Sequence, residues 1–124
     1  MKHRNQLITL LAIVCLLSSC DSVTKNNKLI IGNWDGAEWL VNGNQSDLNT
    51  KDTHFTFNDK EEYTYEYVGT KQTGTYKVEK DMLFTTPKGE QEIMVKIIKL
   101  TKDSLVFDMN RSGQPETLTL IRKQ

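Results

Sequence analysis

The sequence predicts an all-β domain that closes into an antiparallel up-and-down barrel of eight strands. From Leu29 onward, apolar and polar side chains alternate with a period of two residues, which is the pattern of half-buried strands. Turn residues interrupt this alternation at short intervals, and no segment of ordinary helix length has a helical apolar stripe. Strands joined by short turns pair with their sequence neighbours, and closure removes the exposed edges that would otherwise promote aggregation.

A lipoprotein signal peptide is predicted over residues 1–19. Residues 1–6 carry basic side chains and no acid, and residues 7–17 are apolar apart from Thr9. A helix that spans a bilayer needs about 20 apolar residues, so the apolar run is too short for a stable membrane span. The sequence Leu-Ser-Ser-Cys that ends at Cys20 matches the lipobox of bacterial lipoproteins. We therefore expect cleavage before Cys20; the alternative is an ordinary secretory signal followed by an unrelated cysteine.

Cys20 is predicted to carry the membrane anchor. Its thiol would hold a diacylglycerol group as a thioether, and the new α-amino group would take a further acyl chain, as in lipoproteins generally. Two or more chains, at about 0.8 kcal/mol per buried methylene, give a stable anchor. The other cysteine, Cys15, lies in the removed segment, so the mature chain has no disulfide. The expected location is the bacterial cell envelope, at the outer membrane in preference to the inner.

The mature chain has a nearly balanced charge. Removal of residues 1–19 leaves 14 basic and 16 acidic side chains, a net charge of −2. This balance lacks the basic surface that nucleic-acid binding requires, so we expect no nucleic-acid partner. Residues 20–28 are polar after the cysteine and predict a flexible tether. Residues 29–124 suit a single domain.

Each strand is placed by its alternation and by the turn residues at its ends. The predicted strands are 34–41, 53–57, 62–68, 72–78, 82–86, 91–100, 104–109 and 116–122. A polar loop is expected at 42–45, and the last turn is expected at 111–115. Trp39 is out of phase with Trp34, which leaves two alternatives: a bulge after Gly36, or an outward-facing Trp39.

The alternation also assigns an inner face that is large and aromatic. The inward side chains are predicted to be Phe55, Phe57, Tyr63, Tyr65, Tyr67, Tyr76, Val78, Leu105, Phe107, Met109, Leu118, Leu120 and Arg122. We expect this set to fill much of a small barrel with side chains.

The start of the first strand resembles a known motif. Gly32-Asn33-Trp34 is similar to the Gly-x-Trp motif of lipocalins, in which an arginine from the last strand packs over the tryptophan at the closed end of the barrel. Arg122 lies in the matching strand and is in phase with the inward leucines. The resemblance implies that Gly32, Trp34 and Arg122 form a structural signature.

A longer segment, about residues 29–123, resembles the lipocalin-like domain of small bacterial lipoproteins. It has a phenylalanine-rich second strand, a Gly-x-Tyr sequence at 74–76 and the ending Leu-Thr-Leu-Ile-Arg at 118–122. Typical lipocalins are longer and have a helix after the last strand. The resemblance therefore implies a lipocalin-like barrel with shorter strands, and hence a shallower one.

The sequence predicts neither a catalytic site nor a metal site. His54 is the only histidine of the mature chain and no cysteine remains free, so the usual zinc ligands are missing. The acidic segment 47–52 lacks the central glycine and the distal glutamate of a calcium loop. We therefore expect a protein that is not an enzyme and holds no cofactor.

Tyr63, Tyr65 and Tyr67 are the candidate ligand-binding residues. They share the inner face of one strand, where they would serve either as core or as a pocket wall whose hydroxyls orient a ligand. The favoured function is a membrane-anchored lipoprotein whose barrel binds a small apolar ligand. The alternative is a packed barrel that acts through its outer surface as a protein-interaction or inhibitor-type accessory module. A cavity favours the first, a solid interior with an exposed Trp39 favours the second, and no particular protein partner is indicated.

Overall fold

The structure is a computed structural model that describes residues 25–124. The predicted signal peptide 1–19, the lipidation site Cys20 and residues 21–24 of the tether lie outside the described residues. The strands are β1 (Gly32–Val41), β2 (Asn44–Gln45), β3 (Thr53–Phe57), β4 (Glu62–Tyr67), β5 (Thr70–Glu79), β6 (Met82–Pro87), β7 (Ile93–Leu100), β8 (Ser104–Arg111) and β9 (Gln114–Arg122). No helix within 25–124 has the length and apolarity to cross a membrane.

Antiparallel pairing of sequence neighbours builds the sheet, and pairing of β1 with β9 closes it. The two-residue strand β2 pairs only with the end of β1, so the barrel wall has eight strands and the predicted fold class is confirmed. In the β1–β9 ladder, Trp34 lies opposite Arg122, and Val41 lies opposite Glu116. We call the end of the barrel at Trp34 and Arg122 the closed end, and the end at Val41 and Glu116 the open end.

Three two-residue turns at the open end each finish in glycine: Asn42-Gly43, Val68-Gly69 and Ser112-Gly113. All of these residues have positive φ, as the tight hairpin turns that match strand twist require. Because these turns are so short, two predicted boundaries are wrong. The loop expected at 42–45 contains β2, and Pro115 lies inside β9, where its carbonyl accepts a hydrogen bond of 2.9 Å from the Asn42 amide.

A bulge in β1 turns both tryptophans into the interior. The register of β1 against β9 shifts between Gly36 and Glu38, which changes the phase of the side chains that follow. Trp34 is fully buried and Trp39 is 3% exposed. Of the two alternatives for Trp39, the bulge is therefore correct.

The chain that leads into β1 covers the closed end. Residues 25–29 form a helical turn, most of it within the segment predicted as a tether, and Ile30 is completely buried. The Asn26 side-chain amide donates to the Lys80 carbonyl in the β5–β6 turn, at 3.1 Å. The Trp34 indole N–H donates to the Ile30 carbonyl at 2.8 Å. We call residues 25–31 the entry segment.

Candidate ligand-binding site

A cavity of about 240 Å³ lies inside the barrel. Every strand of the wall contributes to its lining, which consists of Trp39, Phe55, Tyr63, Tyr65, Gln72, Leu83, Thr85, Ile93, Val95, Phe107, Met109, Arg111 and Leu118. Aromatic and aliphatic groups with a few polar ones are typical of small-molecule sites. Pockets for drug-sized ligands have volumes of about 300–1,000 Å³. This cavity is smaller, so it suits a smaller molecule.

Phe55 organises the aromatic side of the cavity. Its ring stacks on Tyr65 with a centroid separation of 4.7 Å and meets Phe107 edge-to-face at 5.7 Å. Such geometries stabilise aromatic pairs beyond the burial of their surface. Phe55 and Tyr65 are directly opposite each other in the β3–β4 register, and alternation places both side chains on the inner face, so their rings stack. The aromatic wall is therefore fixed by strand register.

The three predicted tyrosines occupy different surroundings. Tyr63 and Tyr65 line the cavity, whereas Tyr67 lies outside its lining. The Tyr67 ring packs edge-on against Trp39 at 6.0 Å, and its hydroxyl accepts a hydrogen bond of 3.3 Å from the Asn49 amide. The geometry thus separates Tyr67, which tethers a loop, from the two tyrosines that face the cavity.

The two cavity tyrosines also differ in their hydrogen bonds. The Tyr63 hydroxyl donates to Gln72 Oε1 at 2.9 Å, while the Tyr65 hydroxyl bonds to no group within residues 25–124. Burial raises the pKa of Tyr63, with a smaller opposing effect from the Thr85 hydroxyl. Burial likewise raises the pKa of Tyr65, and the Arg111 charge partly offsets it. Both hydroxyls therefore stay neutral near pH 7 and can donate hydrogen bonds.

A polar cluster at the open end was not predicted from the sequence. Glu116 is only 5% exposed, and its Oε1 accepts a hydrogen bond of 2.9 Å from the Trp39 indole N–H. Its Oε2 lies 3.4 Å from Arg111 Nε, and the Arg111 guanidinium carbon lies 5.9 Å from the Trp39 ring centre. The sequence contains a signal for this cluster in the alternation of the strands. Glu116 is two residues from inward Leu118 and Arg111 is two residues from inward Met109, so both share the inner face.

The signature residues lie at the opposite end from this cluster. The Arg122 guanidinium carbon is 4.3 Å from the Trp34 ring centre. Its nitrogens donate to the carbonyl of Lys102, at 2.6 Å, and to two carbonyls of the entry segment. Gly32 has a φ of 139°, and a Cβ there would collide with the Arg122 guanidinium. Gly32 therefore leaves the space that lets arginine reach the closed end.

Two other places are weaker candidates for a site. A depression of about 490 Å³ on the barrel flank is lined largely by threonines and charged side chains, with few aromatic or aliphatic groups. His54 Nδ1 lies 2.7 Å from Asp35 Oδ1 on the outer face, where both side chains are partly exposed. Residues 25–124 contain no group of three His, Cys, Asp or Glu side chains arranged to hold a metal ion. The interior cavity is therefore the candidate site.

Comparison with known proteins agrees with this architecture. A lipocalin-like protein from Bacteroides uniformis ATCC 8492 superposes with a TM-score of 0.60 at 16% identity, covering 77% of this chain and 99% of that one. An uncharacterized protein from Bacteroides eggerthii DSM 20697 gives 0.58 at 13% identity, covering 76% and 99%. At such identities the similarity concerns the fold alone.

No curated protein matches the chain significantly. The sequence profile of the lipocalin-like domain, however, matches residues 30–107, which is more than half of the chain. The matched region runs from the buried Ile30 of the entry segment to Phe107 in the cavity wall. This protein belongs to the lipocalin-like domain family.

Proposed function

We propose that this protein is a membrane-anchored lipoprotein whose barrel binds a small apolar ligand. The supporting observation is the cavity of about 240 Å³ with its aromatic and aliphatic lining. Protein interiors are normally packed as densely as organic crystals, so an apolar space of this size inside a small barrel is unusual. An apolar ligand in the cavity would bury its surface against this lining, which favours binding.

The alternative, a packed barrel that acts through its outer surface, has less support. It would be favoured by a solid interior and an exposed Trp39. The barrel interior instead contains a cavity that opens to solvent, and Trp39 is buried with its indole N–H bonded to Glu116. Both observations favour the binding barrel, in which Trp39 is part of the pocket wall.

The anchor is proposed from the sequence around Cys20, at the end of a basic and then apolar leader. The corresponding location is the bacterial cell envelope, at the outer membrane in preference to the inner. The entry segment lies at the closed end, so the chain enters the barrel away from the rim at Arg111 and Glu116. Attachment of the anchor on that side leaves the open end free for a ligand.

Two phenylalanine substitutions on β7 test ligand binding. Val95 lines the cavity, whereas Ile98 is about half exposed outside it. Val95→Phe fills cavity volume and should weaken binding of the neutral dye N-phenylnaphthylamine by about tenfold or more. Ile98→Phe, the matched control, should bind like the wild type.

Dye fluorescence measures the binding, and thermal unfolding verifies that both variants are folded. Saturable binding by the wild type and Ile98→Phe, with weaker binding by Val95→Phe, is the expected result. Failure of the wild type to bind any of several apolar probes saturably would contradict the proposal. Equal binding by Val95→Phe and the wild type would place the bound dye outside the cavity and would also contradict it.

A further inference from the structure

The open end of the apolar cavity carries a cation. Arg111 follows Phe107 and Met109 on the inward side of β8 and lines the cavity with them. Its side chain remains 61% exposed, so it lies where the cavity meets solvent. A charged group is costly to enclose in an apolar space without a partner, which explains its place at the rim. The cavity therefore has an apolar body and a cationic side chain at its mouth.

Glu116 and Trp39 hold this cation in place without using all of its donors. Glu116 approaches the Nε side of the guanidinium, and the Trp39 ring lies against it. The two Nη groups of Arg111 make no hydrogen bond to any residue from 25 to 124. Glu116 itself is buried, with one oxygen bonded to the Trp39 indole and the other beside Arg111. Its carboxylate thus orients Arg111 and leaves the Nη groups available.

A second donor lies on the same cavity wall. Tyr65 lines the cavity, and its hydroxyl bonds to no group in the described chain. The positive charge of Arg111 acts on this hydroxyl, since it lowers the Tyr65 pKa against the raising effect of burial. Tyr65 and Arg111 therefore share one electrostatic environment. Both are donors at neutral pH, and within residues 25–124 no acceptor bonds to the Tyr65 hydroxyl or to the Arg111 Nη groups.

An anionic acceptor would match both of these donors. The planar guanidinium fork matches a carboxylate in charge and in the spacing of its two oxygens. We propose that the ligand of the cavity is an anionic amphiphile, with a carboxylate held by Arg111 and Tyr65 and an apolar chain among the aromatic residues. This inference rests on the proposed function and extends it to the chemical class of the ligand.

Three eight-carbon ligands whose end groups differ in charge test the inference. Octanoate, octanol and octylamine are titrated calorimetrically into the full-length protein, and a blank titration into the solubilising detergent is subtracted. Octanoate should bind roughly threefold to tenfold more tightly than octanol, as expected for a partly exposed charge pair, and octylamine should bind most weakly. Arg111→Gln should abolish the advantage of octanoate and keep the affinity for octanol.

The matched control is Lys77→Gln, which removes one positive charge from an exposed position near the closed end of β5. It should retain the octanoate preference. Retained octanol binding by Arg111→Gln shows that the cavity of this variant is intact. If Arg111→Gln does not fold, Tyr65→Phe replaces it, and its affinity for octanoate should fall about threefold while its affinity for octanol is unchanged.

The outcomes separate this inference from the proposed function. Saturable binding of octanol as tight as that of octanoate would overturn the anionic end group and leave the apolar pocket in place. An unchanged octanoate preference in Arg111→Gln would overturn the role of Arg111. Saturable binding of none of the three ligands would overturn the inference together with the binding barrel.

Discussion

Arg122 stacks its guanidinium over the ring of Trp34, with its central carbon 4.3 Å from the ring centre. The same guanidinium donates to the carbonyls of Leu29 and Ile31. Arg122 therefore joins the last strand, the first strand and the entry segment at one point. Trp34 and Arg122 lie opposite each other where β1 and β9 close the barrel, so their contact also stabilises the pairing of these two strands.

Arg122→Gln is expected to lower the free energy of unfolding by about 2–4 kcal/mol. The change removes a cation–π contact and leaves two partly buried carbonyl groups of the entry segment without their charged donor. Urea denaturation at neutral pH measures the effect. Lys123→Gln, one residue further on and exposed, should change stability by less than about 0.5 kcal/mol. Equal stability of Arg122→Gln and the wild type would contradict this role.

Val68 offers a site where stability should increase. It holds a φ of 49° in the β4–β5 turn, a region that is unfavourable for β-branched residues. Asn42 occupies the corresponding position of the β1–β2 turn, with a φ of 53°. Val68→Asn should therefore stabilise the fold by about 1 kcal/mol in thermal or urea unfolding. Val68→Thr keeps the β-branch and should bring no gain; if both variants gained equally, backbone strain would not be the cause.

Tyr76 should contribute to a loss of stability at alkaline pH. Burial, assisted by the nearby acids Glu61 and Asp59, raises its pKa above the ordinary 10.0. The unfolded chain therefore releases this proton first, so the contribution is complete below pH 10.0 and is lost as the pH rises through the raised pKa.

Tyr76→Phe removes this ionisation together with the hydrogen bond of 2.7 Å to the Asn58 carbonyl. The variant should be about 0.5–1.5 kcal/mol less stable at neutral pH, because that bond is lost. Its stability should also decline less steeply than that of the wild type above pH 10.0. Urea unfolding across this range measures both effects, and identical pH profiles would contradict the assignment.

The proposed anchor is tested through Cys20. The wild-type protein, expressed in a bacterium that processes lipoproteins, should enter the detergent-rich phase of a phase-separation experiment. Cys20→Ala should remain in the aqueous phase, because the thioether cannot form and the acyl chains are absent. Mass spectrometry of the N-terminal peptide would identify the lipid directly. Equal partitioning of the two proteins would end the lipoprotein interpretation.

Alternation predicts most of the barrel because every wall strand has one face toward the interior. The predicted strand boundaries agree with the observed ones to within two residues. The bulge in β1 could be stated only as one of two alternatives, because a phase break between Trp34 and Trp39 is compatible with either a bulge or an outward side chain. The helical turn at 25–29 is too short to produce a periodic signal at all.

The cavity is harder to predict than the strands around it. Leu83, Phe107 and Leu118 have the sequence pattern of core residues, and whether such side chains meet or leave a void depends on their volumes across the whole barrel. The separation of Tyr67 from Tyr65 depends on a loop contact with Asn49 that alternation does not encode. The pairing of Arg111 with Glu116 follows from the tight turn between β8 and β9, whose length the sequence reasoning overestimated.

Entry of the chain at the closed end determines how an anchored molecule would stand on a bilayer. From Cys20 to Lys25 the chain can extend at most roughly 3.3–3.6 Å per residue, so a lipid on Cys20 would keep the closed end within about 18 Å of the surface. The rim with Arg111 lies at the other end of the barrel, so the length of the β1–β9 ladder separates the mouth of the cavity from this attachment point. Any pull on the anchor would pass through the hydrogen bonds of the entry segment, first Asn26 to Lys80 and then Arg122 to Leu29 and Ile31, before it reached the β-ladder.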